Sequence, residues 1–395
     1  RILALRTVGG WPPEAVPQGL QQRVAELTPA APEPAAPMAR PSDAPVPIVI
    51  DELRRCLLNP IPAKLARHLG VRAVRPPLET LLADTDEPFA SVFPTDYRIV
   101  RETLDRWLAV CWQDPERPPS VSELFQRVYT AYALRGAVPE GAYERLDRRR
   151  LRDQVVEGAA ALAPLVADLK GAVQRHYGLV IGHLGSAAQT AGAVAGPVVH
   201  LPPAILPAGG HEPGDGLPKI ELSGTFTRLW QDGAGAWHGL VLTGVQGKPP
   251  AHPNHHLISP LLTYLAACAG NDETLGWGGG FTVHLAAQKG VSAFHYRIDP
   301  GEAADHLLNV IAPFLDLQCH RWLPFRVVTA GRLRVQDIPP EEIDDRRRRH
   351  FLEALLEAWD ETGDYLSGLA RPRFDLDCLD EAHRRVAIFY ANEEA

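Results

Sequence analysis

The chain has almost no lysine and almost no methionine. Five lysines (Lys64, Lys170, Lys219, Lys248, Lys289) and one methionine stand among 395 residues, so arginine carries most of the positive charge. With so much Ala and Pro, this reads as the signature of a GC-rich genome rather than of a function. Cysteine is sparse too. The five (Cys56, Cys111, Cys268, Cys319, Cys378) are scattered, and none forms a C-x-x-C. That excludes a zinc ribbon and a disulfide framework and fits a reducing cytoplasm. No apolar run approaches the roughly 18 residues that a membrane span needs. The opening RILALRTVGGWPP does not read as a signal peptide, and a start on Arg reads as a piece cut from something longer.

Motifs of energy coupling and covalent catalysis are missing as well. Gly244-Val-Gln-Gly247-Lys248 comes nearest to a phosphate-binding loop, but Pro249 stands where Ser or Thr should hold Mg²⁺. GWGGG at 276–280 lacks dinucleotide spacing. There is no G-x-S-x-G and no H-E-x-x-H. His252, His255 and His256 cluster in AHPNHH, which reads as a loop or helix start rather than a metal site. No cofactor and no metal is expected.

The net charge of −8 argues against a chain coated in nucleic-acid-binding surface, while leaving room for a local basic groove. Residues 29–47, PAAPEPAAPMARPSDAPVP, form a Pro/Ala segment expected to be extended. Residues 1–47 are read as linker, 48–177 as a helical region and 178–395 as an α/β core closed by helices. In the helical region, periodicity predicts two short helices around a Pro corner, then helices at about 96–113, 120–134 and 146–177. Ser120 with Glu123 is a capping box. Beyond Gly178 come short β-type runs, a helix at HHLISPLLTYLAACAG, a hairpin turned at Lys289-Gly290, and helices at about 301–318, 340–358 and 376–391. The fold class is α/β with an α+β layout: a small mixed sheet flanked by helices.

LSGTFTRLWQDGAGAWHGLVLTGVQGK at 222–248 is the strongest local signal. Two β-prone runs flank Asp232-Gly233, which is expected to supply the left-handed turn of a hairpin. Metal-dependent nucleases carry carboxylates and a Lys on such a hairpin. Here the inner positions hold Thr227, Thr243 and Val245. A neutral hydroxyl cannot replace carboxylate charge on a hard divalent ion. Two arginine clusters remain, Arg145, Arg148, Arg149, Arg150 and Arg152 in RLDRRRLR, and Arg346, Arg347, Arg348 and Arg349 in DDRRRRH. Each is either a solvated, salt-bridged face or a contact for phosphate backbone, which Arg grips bidentately.

Taken in order, IDELRRCLLNPIPAKLARHLGV, DEPFASVFPTDYRIVRETLDRWL, LRGAVPEGAYERL, KIELSGTFTRLWQDGAGAWHGLVL, HLISPLLTYLAACAG and AADHLLNVIAPFLDLQCHRWLPF resemble the C-terminal part of the RecC-type gamma subunit of exodeoxyribonuclease V. The resemblance spans roughly residues 48–395. It implies a catalytically inactive PD-(D/E)xK nuclease core in a RecBCD-like recombinational repair complex, with hydrolysis and ATP use left to the complex. It implies DNA as a partner, as a duplex end or unwound single strand, together with a RecB-type helicase–nuclease subunit and a RecD-type subunit as a further candidate. Two rival readings stand beside it: an active nuclease using Glu221 with Asp232, and a purely structural partner-binding domain.

Overall fold

In the computed structural model the chain divides into two units, Arg1–Ala44 and Pro45–Ala395. The structure describes residues 45–69, 95–182, 198–206, 218–243, 248–250, 255–270, 277, 280–315, 325 and 388–389, all in the second unit. The helices expected at 340–358 and 376–391 lie outside the described residues, apart from Ile388 and Phe389.

The ordered part opens with a strand, β1 (Val46–Val49), two residues inside the segment read as linker. Helix α1 (Ile50–Leu58) follows. It buries Ile50, Leu53, Cys56 and Leu57, and Asp51 and Glu52 complement the positive end of its dipole. Asn59 ends it, and Pro60 starts α2 (Pro60–Leu69), where a missing N–H costs nothing. Arg67 ties the two helices through Glu52 at 3.0 Å.

Three helices then form one layer: α3 (Thr95–Gln113), α4 (Val121–Ala133) and α5 (Gly141–Asp168). Ser120 caps α4 by accepting the Glu123 amide at 3.4 Å. The long helix expected to run to 177 stops at Asp168, passes through a single 3-10 turn (Leu169–Gly171) and gives way to β2 (Gln174–Ile181). The remaining elements are β3 (Val198–Leu201), β4 (Ala204–Leu206), β5 (Ile220–Gln231), β6 (Trp237–Leu242), α6 (Ile258–Ala269), β7 (Phe281–Ala287), β8 (Gly290–Tyr296) and α7 (Pro300–Leu315).

The fold is thus mixed α/β: an eight-stranded mixed sheet in the order β3-β2-β5-β6-β7-β8, with β1 and β4 pairing onto the first half of β5. Strands β6 and β7 run parallel, Trp237 opposite Phe281, and α6 carries the crossover between them. All seven residues of β7 are buried. One face of the sheet packs Ile220, Leu222, Phe226, Leu229 and Trp237 against α1, α6 and α7. The other packs Tyr177, Trp230, Leu240, Leu242 and Ala286 against α3–α5.

Strict alternation would put Phe226 and Trp230 on the same face. They lie on opposite faces because β5 swaps faces at Arg228, the one described non-glycine residue with a left-handed backbone (φ 66°). Its partner strand does the same at Tyr177, so the register survives: His176 pairs Leu229, and Gly178 pairs Thr227. Arg228 is buried, makes an ion pair with Asp105 of α3, and lies 5.9 Å over the Tyr177 ring. The swap turns Trp230 toward the helical layer, where Trp112 meets it edge-on at 5.6 Å.

Candidate nucleic-acid interface and the polar ladder beside it

The β5–β6 hairpin forms where expected, but its turn is longer. Asp232 Oδ1 accepts from the amides of Ala234 and Ala236, both at 2.9 Å. The left-handed residue is Gly235 (φ 87°), not Asp232 or Gly233. The turn is therefore an Asp-centred loop rather than a two-residue reversal.

The positions read as a degenerate metal site do not converge. Only Leu229–Gln231 ladder with Trp237–Gly239, while the other edge of β5 pairs with β2 and that of β6 with β7. Thr227, expected to point inward, is exposed. Thr243 is buried, and its Oγ1 donates to the Ala286 carbonyl at 2.9 Å. Val245 lies outside the described residues. Glu221 pairs with Pro47 at one end of β5, while Asp232 sits past the other end. At about 3.3 Å per residue they are some 35 Å apart, far beyond the reach of one shared ion.

The arginines of RLDRRRLR fall on α5 in two sets. Arg148 pairs with Glu144 and stacks 4.9 Å over Tyr129. Arg150 pairs with the buried Asp147 at 2.9 Å and reaches Asp96 at 3.7 Å. These two guanidiniums hold α5 to α3 and α4. Arg152 makes an exposed pair with Asp153 at 3.3 Å. Arg145 and Arg149, one turn apart, are exposed and make no ion pair among the described residues. Arg346, Arg347, Arg348 and Arg349 lie outside the described residues.

A polar ladder that the sequence reading missed lies under Trp230. His238 Nε2 bonds Asp232 Oδ2 at 3.1 Å, and His238 Nδ1 lies 3.1 Å from His284 Nε2. The Trp230 ring stacks on both imidazoles at 5.0 and 5.2 Å. Burial, then the neighbouring His238 and His295, push His284 down to about 3, so it is neutral. Burial raises the Asp232 carboxyl, but the bonds from His238 and the two turn amides outweigh it and leave it below the usual range. With Asp232 ionised, it accepts from His238 Nε2–H. The contact between His238 Nδ1 and His284 Nε2 takes one hydrogen, which either ring can hold. The signal was available as Trp-His and Val-His on two β-type runs, whereas in AHPNHH His255 and His256 sit in the turn before α6 and His252 lies outside the described residues. Among the described residues no three His, Cys, Asp or Glu side chains converge on a metal position.

Residues 45–334 match the family model of the RecC C-terminal domain. The chain belongs to that family. The RecC family supplies a subunit of RecBCD, a complex of DNA repair. No curated protein matches the chain. Among the described residues, no helix is long and apolar enough to cross a membrane.

Proposed function

We propose that this RecC-family chain is a non-catalytic DNA-binding and assembly region of a RecBCD-like exodeoxyribonuclease V complex acting in the cytoplasm. Its sheet is read as a nuclease-type core that has lost its carboxylates, and its partners as DNA and the RecB-type and RecD-type subunits. The observation that carries the DNA reading is the pair Arg145 and Arg149. They are exposed, one helical turn apart, and not neutralised by the acids that occupy Arg148 and Arg150. Two guanidiniums at that spacing suit successive backbone phosphates. The chain's overall charge opposes binding at long range, but that repulsion is screened within about 8–10 Å at physiological salt.

The absence of catalysis rests on Glu221 and Asp232 standing at opposite ends of β5, and on the helices that cover Leu240, Leu242 and Ala286. Titration of a labelled forked oligonucleotide by fluorescence anisotropy tests the reading. Arg145→Ala with Arg149→Ala should weaken binding and flatten the salt dependence, by a slope of about 0.7 per lost single-strand phosphate contact. Unchanged binding in that variant and in an Arg346–Arg349 variant would sink the DNA role and favour an assembly-only domain. Mg²⁺-dependent degradation of the same oligonucleotide by the purified chain, abolished by Glu221→Ala, would instead support the nuclease reading.

A further inference from the structure

Helix α5 is 28 residues long and carries apolar residues on two opposite sides. Its inner side (Leu151, Val155, Ala159, Leu162) packs into the helical layer. Its outer side should be polar throughout if it met only water. Instead Ala142, Leu146, Arg149, Asp153, Val156 and Ala160 recur at alternating steps of four and three, the 3.5-residue period of a helix-packing seam. All are exposed, Leu146 by 67% and Val156 by 42%.

Read in reverse, the stripe complements itself. About a point midway between Arg149 and Asp153, Ala142 faces Ala160, Leu146 faces Val156, and Arg149 faces Asp153. Each layer is small on small, aliphatic on aliphatic, or charge on opposite charge. A twofold axis through that point matches every residue on one helix to its complement on the other, the condition for an isologous contact. We propose that this outer face of α5 is an antiparallel docking seam for a second copy of the chain. The Arg152–Asp153 pair does not block it: both side chains are half exposed, and such pairs contribute little. The seam by itself is small, so the dimer is weak and forms at high protein concentration. The proposal does not depend on DNA binding. Arg149 serves both readings, and Asp153 serves this one alone.

The test is sedimentation of the full chain over a wide concentration range, with three variants. Leu146→Asp with Val156→Asp should abolish the dimer. Arg149→Asp and Asp153→Arg should each be monomeric alone, because each places like charges opposite one another twice. Mixed together they should associate, since one chain then offers Asp at both positions and the other Arg at both. A tag on one variant detects that heterodimer, and the expected gain over either variant alone is at least about tenfold in association. A purely structural role for these exposed residues gives no such rescue. A wild type that stays monomeric at every concentration overturns the proposal and leaves the stripe to a helix of another protein. Single variants that still dimerise, or a mixture that does not, overturn the register. DNA binding reads separately: Asp153→Arg should break the dimer while adding, not removing, attraction for phosphate.

Discussion

His238 and His284 face each other across two parallel strands at 3.1 Å, and burial keeps the inner of the two neutral. The folded His284 sits at about 3 against an ordinary value of 6.5. A group depressed in this way contributes its stability above the unfolded value and loses it as pH falls toward the folded one. Unfolding free energy should therefore decline between about pH 6.5 and 3, with this residue contributing up to about 1.4 kcal/mol per pH unit. Urea unfolding at pH 7, 6 and 5 should show that slope in the wild type and a shallower one in His284→Gln. Equal slopes would mean that His284 is not the neutral partner the geometry requires.

Arg228 combines a left-handed backbone with a buried charge. Removing its partner by Asp105→Ala leaves the guanidinium without its carboxylate. The carboxylate side is partly exposed, so the cost should fall below that of a fully buried pair, at about 2–3 kcal/mol. The backbone effect separates cleanly: Arg228→Gly relieves the left-handed strain and Arg228→Ala does not. The Gly variant should be the more stable of the two by about 0.5–1 kcal/mol in chemical unfolding. The reverse order would place the strain elsewhere.

Arg228 also marks where sequence reading stopped working. Helices α1, α3 and α4 are legible because each keeps buried apolar residues on one 3.6-residue face, as with Val100, Leu104, Trp107 and Cys111, and α6 is legible as an apolar run buried on every side. The hairpin was legible from its two β-prone runs. Strand faces were not, because a period of two assumes unbroken alternation, and an arginine gives no hint of left-handed backbone as a glycine would. Unbroken alternation would turn Thr227 inward, whereas it is exposed. The end of α5 was missed because Val173 continued the apolar spacing past Asp168. The His238–His284 pair was hidden for another reason: its register is set by α6 bringing β7 beside β6, a long-range event. Within RLDRRRLR the i,i+4 pair Glu144–Arg148 can be read from spacing, but the exposure of Arg145 and Arg149 cannot.

Gly239 lies where β6 passes between two aromatic rings. A Cβ there would sit 2.7 Å from Phe226 and 2.8 Å from Phe281. Both rings are buried and meet edge-on, so neither can retreat without opening the core. Gly239→Ala should cost about 1–3 kcal/mol, as overpacking does. Gly233→Ala, in the same hairpin, meets nothing within 4 Å and serves as the control. Similar midpoints for the two variants would show that the rings have room to move.

The edge between the two units gives a last test. Pro45 begins the second unit, and Val46 at once donates its amide to the Lys219 carbonyl at 2.7 Å. Val46 and Ile48 are buried, and Val46–Val49 pair in register with Ile220–Ser223. Ile50 then packs so closely over Gly224 that a Cβ there would stand 2.9 Å from its Cβ. We expect residues 1–44 to be dispensable and residues 46–49 not to be. A chain starting at Pro45 should unfold at the same denaturant midpoint as the full chain. A chain starting at Ile50 loses the β1 ladder and the burial of Val46 and Ile48, each side chain contributing about 1.5–3 kcal/mol. Its midpoint should fall by a clear margin with a reduced slope, because less surface is exposed on unfolding. A large loss on removing residues 1–44 would show that the Pro/Ala segment contributes to the fold after all. No loss on removing β1 would mean that β5 does not need its parallel partner.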